Sequence, residues 1–313
     1  MNDDVILRAE EKKINWYPGH MARAKRLLTD QLSRVDVVVE LCDARIPRAS
    51  RNPDLDALVK GKKRLLVLGK ADLAEEGATR AWLAYYRSQG LDAMSFDSVR
   101  GRPKDVVARI ERAASEAVAR MAARGVKKTV RVMIVGVPNV GKSTFTNRIN
   151  GASIAKTGDR PGVTRSNQWV RITPYLELLD TPGLLWPKID DQQDARALAF
   201  VGTINDQIMD QQMLAIRLLE LLMQIKRDAA IARFKIKEPD AAGLALLESA
   251  CRGRGWLMPG GIADTDRGAA VILDEFRAGK LGRLTLQRAP ETEKKAEKKP
   301  EAGPEQKSEH NEE

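Results

Sequence analysis

Gly136-Val-Pro-Asn-Val-Gly141-Lys142-Ser143 has the spacing G-x-x-x-x-G-K-[ST], and no other stretch of this sequence offers chemistry so plainly. Glycines let backbone N–H groups wrap a row of phosphates, a lysine neutralises the β and γ oxygens, and the closing hydroxyl ligates magnesium. Pro138, Asn139, Val140, Gly141, Lys142, Ser143 and Thr144 are therefore the expected phosphate-binding residues, with Ser143 on the Mg²⁺. Further on, Asp180-Thr-Pro-Gly183 closes an apolar run. That suits a carboxylate holding Mg²⁺ through a water and a glycine N–H meeting the γ-phosphate. Thr164, in Gly158-Asp-Arg-Pro-Gly-Val-Thr164, lies between the two motifs as a second switch hydroxyl for the metal. D-x-x-G alone is a weak signal, but the three in this order point to a nucleoside triphosphatase.

The base must be read elsewhere. No N-K-x-D follows Asp180, and the nearest match, Gly69-Lys70-Ala71-Asp72, lies upstream at the end of the apolar run Leu65–Leu68. An aspartate in the fourth position can accept from both N1–H and the exocyclic amine of guanine, which adenine cannot offer, while the lysine stem covers the base. Ser95, Asp97 and Ser98 follow one strand–helix unit later as the second base-side loop. GTP is thus expected over ATP. The motif order is base loops, P-loop, first switch, second switch, a circular permutation that a parallel sheet tolerates when the original chain ends lay side by side.

The elements that must position these residues alternate along the chain. Val35–Leu41, Leu65–Leu68, Val130–Val135 and Leu176–Leu179 read as buried strands separated by amphipathic helical stretches. The expected fold class is α/β, a parallel sheet with helices on both faces. From about Asp190 to Gln287 helical patterns take over, including Met213–Ile225, apolar nearly all round, and Ala269–Phe276, with a one-sided stripe. Residues 289–313 are almost wholly Glu, Lys, Pro, Ala and Gln, a composition expected to remain disordered. The expected organisation is a sheet domain over 1–186, a smaller all-helical domain over 187–288 and a charged tail over 289–313. The second switch would then lead straight into the helical domain.

With 43% hydrophobic and 31% charged residues and no apolar run of membrane-spanning length, the chain is expected to be soluble, with no membrane partner. The N-terminus shows no signal or transit pattern, so the expected location is cytoplasmic. Cys42 and Cys251 are too few for a disulfide framework or a structural zinc and read as buried thiols. The formal charge of +10 hides an uneven distribution: residues 289–313 carry five Lys against eight Glu, so the remaining body is more basic still. Such a body suits a polyanionic partner such as RNA, although solubility alone would also account for it.

Longer motifs carry a resemblance. They are Asn15-Trp-Tyr-Pro-Gly-His20-Met-Ala-Arg-Ala, Asp43-Ala-Arg-Ile-Pro47, Pro138-Asn-Val-Gly-Lys-Ser-Thr144 and Lys156-Thr-Gly-Asp-Arg-Pro-Gly-Val-Thr164. Asp180-Thr-Pro-Gly-Leu-Leu-Trp-Pro187, Gly255-Trp-Leu-Met-Pro-Gly-Gly261 and Gly282-Arg-Leu complete the set. Over about residues 14–288 the chain resembles the circularly permuted ribosome biogenesis GTPase A family, also called YlqF-like. The resemblance implies a GTPase that assists a late step in assembly of the large (50S) ribosomal subunit. It also implies activation by that particle and a helical C-terminal domain set against ribosomal RNA.

It further implies that His20 is the catalytic, water-positioning group and that Asn139 ligates a potassium ion beside the phosphates. From the residues alone, His20 could equally cap the helix-like Met21–Leu28, and Asn139 could simply favour a turn. Two departures matter. Gly69 replaces the asparagine of the family's base motif, which should weaken guanine binding without abolishing selectivity. Leu184, beyond Gly183, has no polar atom to orient water. These departures motivate a rival reading, a nucleotide-gated RNA-binding assembly scaffold with little turnover. An ATPase and a small-subunit GTPase are further rivals; the families of the latter carry a Cys/His zinc module that this sequence lacks.

Overall fold

The computed structural model describes residues 29–151, 168–180, 189, 191–204 and 210–290. Six strands form one sheet in the order β3-β2-β1-β4-β6-β5. They are β1 (Val37–Asp43), β2 (Lys63–Gly69), β3 (Asp92–Ser95), β4 (Val130–Val135), β5 (Gln168–Thr173) and β6 (Leu176–Asp180). β1 is buried along its whole length, as expected of a central strand covered on both faces. β1 pairs in parallel with β2 and with β4, and β4 in turn pairs in parallel with β6.

The sheet is parallel as expected except at one edge, where β5 runs antiparallel to β6. Only Pro174 and Tyr175 separate these strands, and so short a link can only reverse the chain. β5 was not legible as a strand, because Gln-Trp-Val-Arg-Ile-Thr offers neither an unbroken apolar run nor a strict alternation, and it lies at the sheet's edge.

Helices cover both faces. α1 (Leu55–Leu58) and α2 (Glu76–Ser88) lie on one side, where Leu55 packs with Val38 and Met133, and Trp82 and Tyr86 pack with Leu66, Leu68 and Ala93. α3 (Pro103–Ala122) and α4 (Lys142–Asn150) cover the other through Val106, Ile110, Phe145 and Ile149. α3 spans the connection from the edge strand β3 back to the central β4. From β4 the chain proceeds to β5 and β6 on one side, whereas β1 to β3 lie on the other. The loop after β4 is thus a topological switch point, the place where open α/β sheets bind ligands.

The later part of the chain is helical: α5 (Gln192–Phe200), α6 (Gln211–Ile225), α7 (Arg227–Phe234), α8 (Gly243–Arg254) and α9 (Thr265–Arg277). Aspartates start three of them: Asp191, Asp210 and Asp264 accept from backbone N–H groups of the first turns of α5, α6 and α9. α6 is the central helix, packed against α7, α8 and α9, which is why its apolar residues run nearly all round. The buried apolar cluster on the α3/α4 face of the sheet continues into these helices. Cys42 and Cys251 are both buried free thiols, and burial pushes Cys251 up to about 11. Among the described residues no helix is long and apolar enough to cross a membrane.

Candidate functional site

β4 delivers the phosphate loop. Gly136 has no room for a side chain: a Cβ there would lie 2.5 Å from the backbone oxygen of Leu41 on β1. Gly141 adopts φ +99, a left-handed conformation that glycine alone takes readily, and caps the start of α4. Between them Asn139 is also left-handed, at φ 57. Lys142 is buried and its Nζ donates to the carbonyls of Gly136 and Val137, so the ammonium lies over the concavity of its own loop. Ser143 and Thr144 occupy the first turn of α4.

The base loop is joined to this loop directly. Lys70, left-handed at φ 53, donates from Nζ to the Asn139 carbonyl at 2.7 Å, and its stem passes over Gly141. Ala71 N–H donates to the carbonyl of Phe96, which brings Gly69–Asp72 against the Ser95–Ser98 loop. Phe96 packs edge-on against Phe145 of α4 at 5.2 Å. Asp97 closes its own turn by accepting from the N–H groups of Val99 and Arg100.

One oxygen stands out. Asp72 Oδ1 is buried and has no hydrogen-bond partner. Burying such an acceptor unpaired costs about 1–3 kcal/mol, and the paired donors of a guanine edge are what would satisfy it. A Cβ on Gly69 would lie 3.1 Å from Leu41 Cδ1, a tight approach to the movable end of a side chain. The bracing that an asparagine could supply from that position is instead supplied by Lys70 to Asn139.

Sequence reasoning assigned no role to Asp43 and Arg45. Asp43, at the end of β1, accepts from Arg45 Nε at 3.0 Å and Nη2 at 2.8 Å, and its Oδ2 lies 3.2 Å from Lys70 Nζ. Burial alone would push its carboxyl up, but the charges of Arg45 and Lys70 outweigh that and hold it well below the usual carboxylate range. Burial pushes the Lys70 ammonium down, opposed by Asp43. The signals available were the motif Asp43-Ala-Arg-Ile-Pro47, which entered only as part of the resemblance, and an acidic residue at the end of a mostly apolar strand.

The metal-binding set fits magnesium in part. The register pairs Ile134 with Asp180, so β6 brings Asp180 beside the strand that feeds the phosphate loop. A hydroxyl and a carboxylate near phosphates form the hard oxygen set that this ion takes. Thr164 and Gly183, and likewise His20 and Leu184, lie outside the described residues.

A phosphate loop at the sheet's switch point, with a buried, unpaired aspartate oxygen across from it, defines a P-loop GTPase. The family model described as "50S ribosome-binding GTPase" matches residues 131–240. The chain is 43% identical over 283 residues to the ribosome biogenesis GTPase A of Priestia megaterium, covering 90% of this chain and 98% of that protein. It is 30% identical to the Thermotoga maritima protein of the same name, covering 88% and 94%. The solved structure of GNP-bound YlqF from T. maritima aligns with a TM-score of 0.62 at 28% identity, covering 86% of this chain and all of that one. The chain belongs to the ribosome biogenesis GTPase A family, and its substrate is GTP.

Proposed function

We propose that this protein hydrolyses GTP to GDP and phosphate while it assists a late step in assembly of the large (50S) ribosomal subunit, and that the ribosomal particle activates it. The observation carrying the nucleotide choice is the unpaired buried oxygen of Asp72, in a loop bonded to the phosphate loop. The ribosomal part rests on the names of the relatives and on the basic body of the chain. In this reading residues 1–186 form the permuted GTPase domain, residues 187–288 contact ribosomal RNA, and the tail from 289 is dispensable. The site of action is cytoplasmic.

Gly69, Lys70, Ala71 and Asp72, with Ser95, Asp97 and Ser98, bound the base, and Pro138 to Thr144 with Gly183 bind the phosphates. Ser143, Thr164 and, through water, Asp180 hold Mg²⁺, which offsets charge on the β and γ oxygens. Asn139 would hold a potassium ion, which would supply a second positive charge beside the phosphates. Lys142 neutralises the phosphate oxygens, and His20 orients the attacking water, a task Leu184 cannot perform. A histidine on an N-terminal segment is positioned only when something restrains that segment, and the particle is the proposed restraint.

The test is phosphate release from GTP with and without large-subunit precursors, in potassium and in sodium, for the parent and His20→Ala. The parent should be slow alone and faster on the particle. His20→Ala should lose about ten- to ten-thousand-fold of the stimulated rate while binding GTP normally. No stimulation by the particle would favour the scaffold reading, parental turnover by His20→Ala would make His20 structural, and equal rates in the two salts would remove the potassium ion.

A further inference from the structure

The phosphate loop is held from an unexpected side. Asn139 Nδ2 donates to the carbonyl of Gly202 at 2.7 Å, and Thr203 Oγ1 donates to the carbonyl of Pro138 at 3.2 Å. Gly202 and Thr203 form the turn that ends α5, and Thr203 is buried. That turn is in turn gripped by Arg277, the last residue of α9, whose Nε and Nη2 donate to the carbonyls of Phe200 and Ala199 at 3.1 and 3.0 Å. Gly202 is left-handed at φ +76, and a Cβ there would come within 3.2 Å of Arg277 Nε.

The contacts close into a ring. The carbonyl of Arg277 accepts from Arg45 Nη1 at 3.3 Å, and Arg45 also lies over the ring of Phe276. Arg45 grips Asp43, Asp43 pairs with Lys70, and Lys70 Nζ donates to the carbonyl of Asn139. Both the side chain and the carbonyl of Asn139 are thus fixed through groups that converge on Arg277, 138 positions further along the chain.

We propose that Arg277 is a positioning residue for the nucleotide pocket: it acts through the α5 turn and through Arg45 to set Asn139 and the phosphate loop, so that GTP and GDP binding are coupled to the docking of α9. This rests on the GTP-site assignment but adds a residue far from it. A phosphate loop binds by backbone N–H groups whose directions follow from a few dihedrals, and Asn139 sits in a left-handed conformation that asparagine tolerates but that its neighbours select here. The same contacts could merely cap the C-terminal carbonyls of α5, which would stabilise the helices without reaching the nucleotide. Coupling and capping predict different outcomes, because coupling must shrink when Asn139 loses its amide and only the Thr203–Pro138 and Lys70–Asn139 carbonyl contacts remain to transmit it, whereas capping is indifferent to that amide. By linkage the effect is reciprocal: nucleotide should stabilise the docked α9.

The experiment measures the Kd of a fluorescent GDP analogue for the full chain, its Arg277→Met and Asn139→Gly variants and the double variant. Glycine at 139 removes the amide while tolerating the left-handed backbone. Arg277→Met should raise Kd by about 2- to 30-fold, the range typical of residues that transmit coupling without touching ligand. In the Asn139→Gly background the same substitution should change Kd by much less. Arg277→Lys, which keeps one donor, should fall between parent and Arg277→Met. GDP should also raise the Tm of the parent more than that of Arg277→Met. Effects that simply add in the double variant, or a Kd unaltered by Arg277→Met, overturn the proposal and leave a structural cap. If Arg277→Met does not fold, Thr203→Val, nearly isosteric, tests the turn's other contact: a raised Kd supports the coupling, and a parental Kd overturns it. A parent that binds no GDP analogue would instead sink the nucleotide-site assignment itself, and the proposal with it.

Discussion

At the phosphate end of the pocket, the residues that fix the backbone, Gly136, Asn139 and Gly141, lie within a single loop. The base end is buttressed from the far end of the chain. Leu284 N–H donates to the carbonyl of Leu73, Thr285 Oγ1 accepts from Glu75 N–H, and the carbonyl of Gln287 accepts from Trp82 Nε1. Gln287 Oε1 also accepts from the N–H groups of Arg48 and Ala49, and Leu286 N–H donates to the carbonyl of Arg45. The phosphate end thus takes its shape from local conformation and is held from afar only at Pro138 and Asn139, whereas the base end rests throughout on long-range contact. Local strain resists small changes stiffly, whereas a set of distributed hydrogen bonds yields gradually, so substitutions at the two ends should differ in kind as well as in size.

The largest effect should come from Asp72→Asn. It removes an acceptor for a guanine donor, and with charged hydrogen bonds at stake the affinity for GTP should fall by about a hundred- to ten-thousand-fold. The new amide suits xanthine, which presents a carbonyl where guanine has its amine, so binding of xanthosine triphosphate should rise. Competition between the two nucleotides reads both, and unchanged GTP preference would show that Asp72 does not face the base.

Gly136→Ala tests the local end. Its Cβ would meet the Leu41 carbonyl, a backbone atom of the central strand, so the loop itself must shift. A displacement near 1 Å typically costs about a hundredfold in turnover. GTPase activity close to the parent would show that the loop is softer than its contacts suggest.

Asp43→Asn tests the junction of the two ends through stability. It leaves Arg45, 2% exposed, without its counter-charge, and loss of one partner of a buried pair costs about 3–5 kcal/mol. Because the folded carboxyl titrates below the unfolded one, its stabilisation is fully present above about pH 4 and is lost as the pH falls toward the folded value. Thermal unfolding of parent and variant should therefore differ most near neutrality and converge below about pH 4. A gap that persists undiminished in acid would mean that the Asp43 charge is not what holds Arg45 and Lys70.

The smallest effect on nucleotide should come from Gln287→Ala. It unpairs the N–H groups of Arg48 and Ala49 and the contact to Asp194, lowering stability by about 1–3 kcal/mol. GDP affinity, measured in parallel, should move by less than the shift seen at either end of the pocket. A larger change would make the C-terminal segment part of the base site.

What the sequence determined by itself follows from range. The phosphate loop was legible because its glycines, lysine and hydroxyl fall within eight residues flanked by β4 and α4, and because parallel strands buried on both faces read as largely apolar runs. The base loops were proposed from type and order, and the fold brings Gly69–Asp72 against Ser95–Ser98. The antiparallel β5 was not legible, since a half-exposed edge strand has no apolar run to announce it. Nor could spacing reveal that Asp43, Arg45, Gly202 and Arg277 converge on Asn139, because backbone carbonyls accept hydrogen bonds without regard to residue type. Only the folded chain, which lays the end of α9 against the turn after α5 and both against the phosphate loop, decides which carbonyl each guanidinium and amide will find.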